Sequence, residues 1–150
     1  MAGDDKQFSI SIGINAPADR VYEVMADTER WPEWTPSVKS IKRLDSGPFA
    51  VGSRAVIRQP KFPPALWTVT AIDGRRSFTW MNRAPGIKVI AHHSIDANGD
   101  GSRATLSLRY EGLLAGLFSR LTRNISHRYL AWEAHGLKAR AENPFFRVSQ

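Results

Sequence analysis

The chain has 150 residues, 42% of them hydrophobic and none of them cysteine, which excludes disulfide bonds and thiol chemistry. Its formal charge of +7 comes from basic residues scattered along the chain, without the long run or recognisable module typical of specific nucleic-acid binding. No apolar run approaches the roughly 20 residues that span a bilayer, and residues 1–6 are polar rather than signal-like. We therefore expect a cytoplasmic protein with one domain over residues 1–150 and a core at 8–142.

The first elements predicted are a strand at residues 8–14 and a short amphipathic helix that begins at Pro17. Proline is pre-organised for a first helical turn because its φ angle is fixed. The apolar residues that share one helical face are Val21, Val24 and Met25. Asp27 can cap a second short helix, which leads into a Trp-Pro-Glu-Trp segment at 31–34. A strand that passes straight into such an insert is uncommon, so this segment is the most distinctive part of the chain.

From residue 38 onwards the chain alternates strand-like segments with turn signals, of which Asp73-Gly74 and the glycine-rich stretch at 98–101 are the clearest. Strands joined by short turns pair with their neighbours, which predicts an antiparallel meander. The predicted strands cover residues 38–44, 54–59, 66–72, 77–82, 87–95 and 103–111.

Alternation along these strands predicts which side chains face the interior. Tyr110 is in phase with the apolar residues of its strand, and the polar residues between them take the other face. His93 shares the apolar phase of the preceding strand. Trp80 and Asn82, one strand earlier, and Trp67 before them are expected on the same inner face. The inner face is therefore predicted to be aromatic, with a few polar groups.

One long helix is predicted over residues 113–142, and Asn143-Pro144 ends it because proline cannot continue the hydrogen-bond ladder. The apolar stripe expected to face the sheet consists of Leu114, Leu117, Phe118, Leu121, Ile125, Trp132, Gly136 and Ala139. The expected polar face carries Ser119, Arg123, Ser126 and Glu133. Arg128 falls within the stripe, where an ionised guanidinium needs an anionic partner such as a ligand. Leu130 and Leu137 lie opposite and receive no predicted role, while Phe145 and Phe146 either fold back or meet a second subunit.

This order of elements resembles the helix-grip superfamily of START-related and Bet v 1-like (SRPBCC) domains, and within it the polyketide cyclase/dehydrase-like lipid-binding branch. The resemblance rests on the Asn-Ala-Pro helix start at 15–17, the segment at 31–34, the meander and the closing helix, and it covers residues 8–142. It implies an α+β fold, in which a seven-stranded antiparallel sheet wraps around a long C-terminal helix, with two short helices after the first strand. It also implies a deep cavity for a hydrophobic ligand, but it fixes no reaction.

Short inner side chains would leave room for such a ligand, and those expected on the inner face are Ala71, Ala91 and Ala104. Aromatic walls suit a ring-bearing ligand, although the same aromatic residues would also fill a solid core. The residues expected to bind the ligand are Trp67, Trp80, Asn82, His93, Tyr110, Phe118, Leu121, Ile125, Arg128 and Trp132.

A candidate catalytic set combines His93 as a general acid or base, Tyr110 as a proton donor and Arg128 as a group that polarises a carbonyl or stabilises an enolate. This chemistry suits cyclisation or dehydration of a polyketide-like substrate. A hydrogen-bonded core histidine would produce the same pattern. We expect no metal and no cofactor, because His92 points away from His93 across the strand, and the two helix histidines are about 12 Å apart.

Three functions stay open from the sequence. Binding and transport of a small hydrophobic, ring-containing or lipid-like molecule ranks first, followed by a cyclase, aromatase or dehydratase. The third is a protein-interaction module of the co-chaperone or ribosome-associated type. Two apolar segments, at 61–66 and 113–118, either gate the cavity and touch a membrane transiently or pack against the protein itself. The chain is expected to be a monomer or a homodimer.

Overall fold

The computed structural model describes residues 6–149. Among these residues the strands are β1 (Gln7–Ile14), β2 (Ser40–Arg43), β3 (Arg54–Arg58), β4 (Ala65–Asp73), β5 (Ser77–Ala84), β6 (Ile87–Asn98) and β7 (Gly101–Glu111). The α-helices are α1 (Ala18–Ala26) and α2 (Ala115–Glu142), and a 3-10 helix covers Thr28–Glu33.

The strands form an antiparallel sheet in the order β1-β7-β6-β5-β4-β3-β2. Strands β2 to β6 each pair with the next strand along the chain, and β1 pairs with β7. The predicted strands are all present, although β2 is shorter than expected and β6 continues to Asn98. The predicted fold class, a seven-stranded antiparallel sheet with a long C-terminal helix and two short helices after the first strand, is confirmed.

A β-bulge in β4 changes which residues face the interior. The pairing of β4 with β5 shifts between Val69 and Ala71. Trp67 and Val69, before the bulge, are buried, whereas Ala71 after it is exposed. The predicted inward position of Ala71 is therefore wrong, because the extra residue resets the alternation along the strand.

The insert between β1 and β2 forms part of the core. Helix α1 buries Val21, Tyr22, Val24 and Met25, which include the three residues predicted for one face. The indole N–H of Trp31 in the 3-10 helix donates a hydrogen bond to the carbonyl of Met25 at 2.9 Å. The rings of Trp31 and Trp34 lie 5.6 Å apart, and both side chains are buried. The distinctive segment at 31–34 thus closes one end of the sheet.

Helix α2 ends at Glu142 as predicted, but its predicted orientation is wrong over most of its length. Leu117 and Leu121 are 55% and 74% exposed, and Leu114 and Trp132 are also exposed. The two leucines without a predicted role, Leu130 and Leu137, are buried in the core instead. The exposed leucines share one side of the helix. The small residues Ala134, Gly136 and Ala141 permit the close approach of the helix to the rest of the fold. Helical spacing shows which residues share a face of the helix. Here the face that packs against the fold is not the one with the most leucines.

Three of the four residues expected on the polar face of α2, Ser119, Ser126 and Glu133, are buried or half-buried, whereas Arg123 is exposed. Ser119 and Ser126 are buried, and each hydroxyl forms a hydrogen bond that compensates its burial. Beyond the helix, Phe145 is 89% exposed while Phe146 packs against the core. The backbone N–H of Val148 donates to the carbonyl of Glu33 at 2.9 Å. Residues 144–148 therefore fold back onto the 3-10 helix.

Candidate functional site

A cavity of about 250 Å³ lies between the concave face of the sheet and α2. Its wall is mainly apolar, with aromatic and small residues from β4, β5 and β6 and larger ones from the helix. The lining residues from the sheet include Ala65, Trp67, Trp80, Asn82, Ala91, His93 and Tyr110. Those from α2 are Phe118, Ser126, Tyr129, Leu130 and Glu133. The sequence predicted an internal cavity, and the structure contains one.

Aromatic rings make one wall of the cavity rigid. The ring centroids of Trp67 and Trp80 lie 5.8 Å apart, and Trp80 lies 5.4 Å from Trp31. Edge-to-face and tilted contacts of this kind stabilise aromatic clusters beyond simple burial. Ala91 lies in the register position opposite Trp80 on the neighbouring strand, and its short side chain leaves the space beside the indole open. The wall offers flat apolar surfaces with a gap between them.

One polar pair lines the cavity at this wall. The Nε2 atom of His93 lies 3.0 Å from Oε1 of Glu133 on α2, and the side chains are 4% and 15% exposed. The imidazole stacks on Phe78 at 4.3 Å with an interplanar angle of 10°. Its Nδ1 atom is buried without a hydrogen-bond partner among the described residues. The stack and the carboxylate together fix the position of the ring.

Two further polar side chains of the cavity, Tyr110 and Asn82, are paired within the protein. The hydroxyl of Tyr110 is 2.8 Å from Oγ of Ser126, and the ring packs against Phe8 and Phe118. The Nδ2 group of Asn82 donates to the carbonyl of Leu66 at 2.9 Å. These groups position the walls, and their hydrogen-bonding capacity is partly used before a ligand enters.

The loop between β3 and β4 forms the rim of the cavity. Phe62 and Pro63 line the space, and the ring of Phe62 lies 6.0 Å from that of Tyr129 on α2. The Tyr129 hydroxyl donates to the carbonyl of Pro60, and burial raises the pKa of this phenol, which keeps it a donor at neutral pH. Lys61, between Pro60 and Phe62, has a φ of 69°, a left-handed conformation that is strained for lysine. Tyr129 therefore holds this loop against the helix.

The structure brings together six of the ten residues predicted to bind a ligand: Trp67, Trp80, Asn82, His93, Tyr110 and Phe118 all line the cavity. The other four, Leu121, Ile125, Arg128 and Trp132, do not line it. Arg128 is exposed, so its predicted position beside His93 and Tyr110 is wrong. The reason is the orientation of α2 described above.

Sequence reasoning missed four lining residues on α2: Ser126, Tyr129, Leu130 and Glu133. Ser126 and Glu133 share helical spacing with Leu130 and Leu137, the two leucines that lay outside the predicted stripe. A helix face centred on those leucines would have contained both polar residues and would have identified the pair of Glu133 with His93.

The part of the chain that the structure describes contains neither a metal-binding cluster nor a helix suited to cross a membrane. Residues 6–149 contain no group of three or more acidic or histidine side chains placed to hold a metal ion. Within the same residues, no helix combines the length and apolarity that crossing a bilayer requires.

An antiparallel sheet that curves around a long C-terminal helix and encloses an apolar cavity defines a helix-grip protein of the START and Bet v 1 superfamily. The chain belongs to the family described as polyketide cyclase / dehydrase and lipid transport, whose model matches residues 6–142. No curated protein sequence matches the chain significantly.

Solved structures with the same fold are distant in sequence. The Zhui aromatase/cyclase from Streptomyces sp. R1128 has a TM-score of 0.74 at 15% identity, with 91% of this chain and 93% of that one covered. A START superfamily protein from Mycobacterium smegmatis has a TM-score of 0.73 at 18% identity, with coverage of 92% and 98%. A protein from Thermus thermophilus has a TM-score of 0.75 at 18% identity, with coverage of 93% and 99%. These similarities establish the fold.

Proposed function

We propose that this protein binds a small hydrophobic molecule, ring-containing or lipid-like, in the cavity and carries it. The observation that carries the proposal is the apolar space of about 250 Å³, bounded by Trp67 and Trp80. An apolar cavity of roughly 150 Å³ binds benzene, so this one is large enough for a ligand of one or two rings. Aromatic walls favour a flat ligand over a branched one.

The polar groups of the wall suggest which functional groups such a ligand carries. The indole N–H of Trp67 is buried without a hydrogen-bond partner among the described residues, and an unpaired buried donor is unfavourable. A carbonyl or hydroxyl oxygen on the ligand would provide the missing acceptor. The pair of His93 with Glu133 offers a second polar contact. The ligand we infer is therefore largely apolar, with one or two oxygen atoms.

The experiment uses the neutral fluorescent probe N-phenyl-1-naphthylamine and a pair of variants on β6. Ala91→Leu fills the cavity from its wall, and Ala97→Leu places the same side chain on the exposed part of the same strand. Filling the space is expected to weaken probe binding by about tenfold or more. The Ala97→Leu control should bind the probe like the unaltered protein.

Equal probe binding by the two variants, with both folded by circular dichroism, would contradict a ligand site in this cavity. Native mass spectrometry of freshly purified protein, followed by solvent extraction, would then identify what the unaltered protein carries. A single small molecule that is absent from Ala91→Leu is the expected result.

A second candidate is a cyclase-type activity, favoured by the histidine–carboxylate pair inside the cavity. His93 would act as the general acid or base and Glu133 would fix its orientation, while Arg128, which does not line the cavity, takes no part. His93→Phe, which keeps the stacked ring, is expected to retain the probe under either function but to remove turnover of a polyketide-like substrate under this one. The filled interior expected of a pure interaction module is not what the structure contains.

We also propose that the protein works in the cytoplasm, as a monomer or homodimer, with residues 1–150 acting as one ligand-binding unit. An apolar site of this kind needs no cofactor to hold its ligand.

A further inference from the structure

The outer face of α2 carries an apolar surface that the fold does not use. We call it the leucine stripe, and its members are Leu114, Leu117, Leu121 and Trp132, which are 47%, 55%, 74% and 37% exposed. Leu113, just before the helix, is 98% exposed. Helical spacing places the stripe along one side of the helix. Leu114, Leu117 and Leu121 follow one another closely, and Trp132 lies about three turns further along the same side. Exposed apolar residues grouped in this way are typical of a surface that contacts a partner or a membrane.

Within the segment that carries the leucine stripe, the charged side chains have a single sign. No acidic residue occurs from Gly112 to Trp132, and the same segment contains Arg120, Arg123 and Arg128. Arg120 and Arg128 are exposed on the helix surface. An apolar face flanked only by arginines is the pattern of helices that lie in the interface of anionic bilayers.

The leucine stripe borders the cavity. Phe118 lines the cavity one residue after Leu117, and Tyr129, which holds the rim loop, stacks on Trp132 at 5.5 Å. The two sides of the same helical turns thus face the ligand space and the solvent. A surface that touches this stripe would lie next to the rim at Phe62 and Pro63.

We propose that the leucine stripe docks onto an anionic lipid bilayer. The leucines enter the boundary between headgroups and acyl chains, and the arginines contact lipid phosphates. A second copy of the chain is the poorer occupant, because each copy has a charge of +7 and would bring the same arginines to a shared interface. The bilayer offers both the apolar depth and the negative charge that this face lacks.

Docking in this way would place the rim of the cavity at the membrane surface, where an apolar ligand can transfer without crossing water. This consequence rests on the proposed ligand-binding function, but the docking itself does not. The two are separable by experiment, because the leucine stripe lies outside the cavity and Ala91 lies within it.

The test is co-sedimentation with vesicles of phosphatidylcholine and phosphatidylglycerol in equal parts, and with vesicles of phosphatidylcholine alone. We expect binding to the mixed vesicles that weakens as salt is added. Leu117→Ser with Leu121→Ser should reduce this binding by about tenfold or more. Arg120→Gln with Arg128→Gln should reduce the preference for the anionic vesicles.

The matched control is Leu44→Ser with Val51→Ser, two residues that are 46% and 62% exposed on the β2–β3 side of the fold. This control should bind the mixed vesicles like the unaltered protein. The proposal is overturned if the unaltered protein does not sediment with mixed vesicles, or if the control loses as much binding as the stripe variant. A dimer in sedimentation velocity that becomes a monomer in Leu117→Ser with Leu121→Ser would assign the stripe to a second copy instead.

Ligand binding is measured in parallel with N-phenyl-1-naphthylamine. The stripe variant should keep probe binding, and Ala91→Leu should keep vesicle binding while it loses the probe. If the stripe variant keeps both the probe and the vesicles, the docking proposal alone is contradicted, and if Ala91→Leu keeps both, the cavity alone is contradicted as the ligand site.

Discussion

The two halves of α2 have the same backbone structure but different surroundings. In the C-terminal half, the residues from Ala134 onwards pack in the core: Ala134, Leu137 and Ala141 are all buried, and Arg140 is paired with Glu33 of the 3-10 helix at 2.6 Å. In the N-terminal half and the following turn, up to Glu133, one side of the helix lines the cavity and the other exposes the leucine stripe. The end of the C-terminal half therefore closes a packed core, and the helix before it forms a wall with open space on both sides.

This contrast indicates where stability and function reside. Dense packing at the C-terminal half fixes the angle of the helix against α1 and the 3-10 helix, because interiors at crystal-like density resist displacement. That anchor allows the N-terminal half to remain in place over a cavity that contributes little packing. We therefore expect substitutions in the C-terminal half to change the free energy of unfolding, and substitutions in the N-terminal half to change binding.

The largest difference is expected between two glycines of α2. At Gly136 a Cβ atom would clash with the backbone carbonyl oxygen of Trp34, whereas at Gly116 the nearest atom outside the helix, Cε of Lys6, is 3.9 Å away. Because backbone cannot rotate aside as a side chain does, Gly136→Ala should lower the free energy of unfolding by more than about 4 kcal/mol. Gly116→Ala should be neutral or stabilise by up to about 1 kcal/mol. Urea unfolding followed by circular dichroism measures both.

Equal stabilities of the two variants would mean that the C-terminal half of α2 is not the rigid anchor. A Gly136→Ala protein that is as stable as the unaltered one and has the same tryptophan fluorescence would have the same meaning, since the helix could then move away without cost.

The second difference in stability is expected between two leucines of α2. The sequence predicts that Leu121 faces the sheet and gives Leu137 no role, whereas the structure buries Leu137 and exposes Leu121. Leu137 is fully buried, whereas Leu121 is 74% exposed. Leu137→Ala leaves a cavity in the core and should cost about 3 kcal/mol in the free energy of unfolding. Leu121→Ala should change it by less than about 0.5 kcal/mol. Thermal and urea unfolding of the two variants would decide which face of α2 is internal, and a larger loss for Leu121→Ala would restore the face predicted from the sequence.

The fold was predictable because its signals are local. Turn residues such as Asp73-Gly74 mark strand ends, and alternation places Tyr110 and His93 inside, where both are buried. The bulge at Ala71 was not predictable, since it adds one residue without a glycine or proline to indicate it. Alternation is reliable only as long as the register is regular.

The orientation of α2 could not be predicted from hydrophobicity. A stripe of leucines looks like a core face, but a helix that closes a cavity needs small residues where it touches the fold and polar residues where it pairs with the sheet. Ser126 forms a hydrogen bond with Tyr110 and Glu133 forms one with His93, so both polar side chains of the helix face inwards. Those pairings join residues that are distant in sequence, and a single sequence does not reveal them. The sequence therefore foresaw five lining residues from the sheet and one from α2, namely Trp67, Trp80, Asn82, His93, Tyr110 and Phe118.

The smallest predicted effect concerns pH and again compares two acidic residues near the C-terminal end of α2. The hydrogen bond from Arg140 lowers the pKa of Glu33, and the bond from Lys138 lowers the pKa of Glu142. A carboxyl whose pKa is lower in the folded state stabilises the protein above its unfolded pKa, and that stabilisation is lost as pH falls through the folded pKa. Stability should therefore decline as the solution is acidified below about pH 4.3.

The two ion pairs differ in burial, and their contributions to the free energy of unfolding are therefore unequal. Arg140 and Glu33 have side chains that are 11% and 24% exposed, against 38% and 29% for Lys138 and Glu142. Glu33→Gln should cost about 1–2 kcal/mol at pH 7, less than a fully buried pair because the carboxylate is partly hydrated. Glu142→Gln should cost less than about 0.5 kcal/mol, as expected of a pair near the surface. Because the substitution also removes a titrating group, the melting temperature of Glu33→Gln should fall less between pH 7 and pH 3 than that of the unaltered protein. A pH dependence that survives Glu33→Gln but disappears in Glu142→Gln would place the important ion pair at the end of the helix, outside the anchor that holds α2 over the cavity.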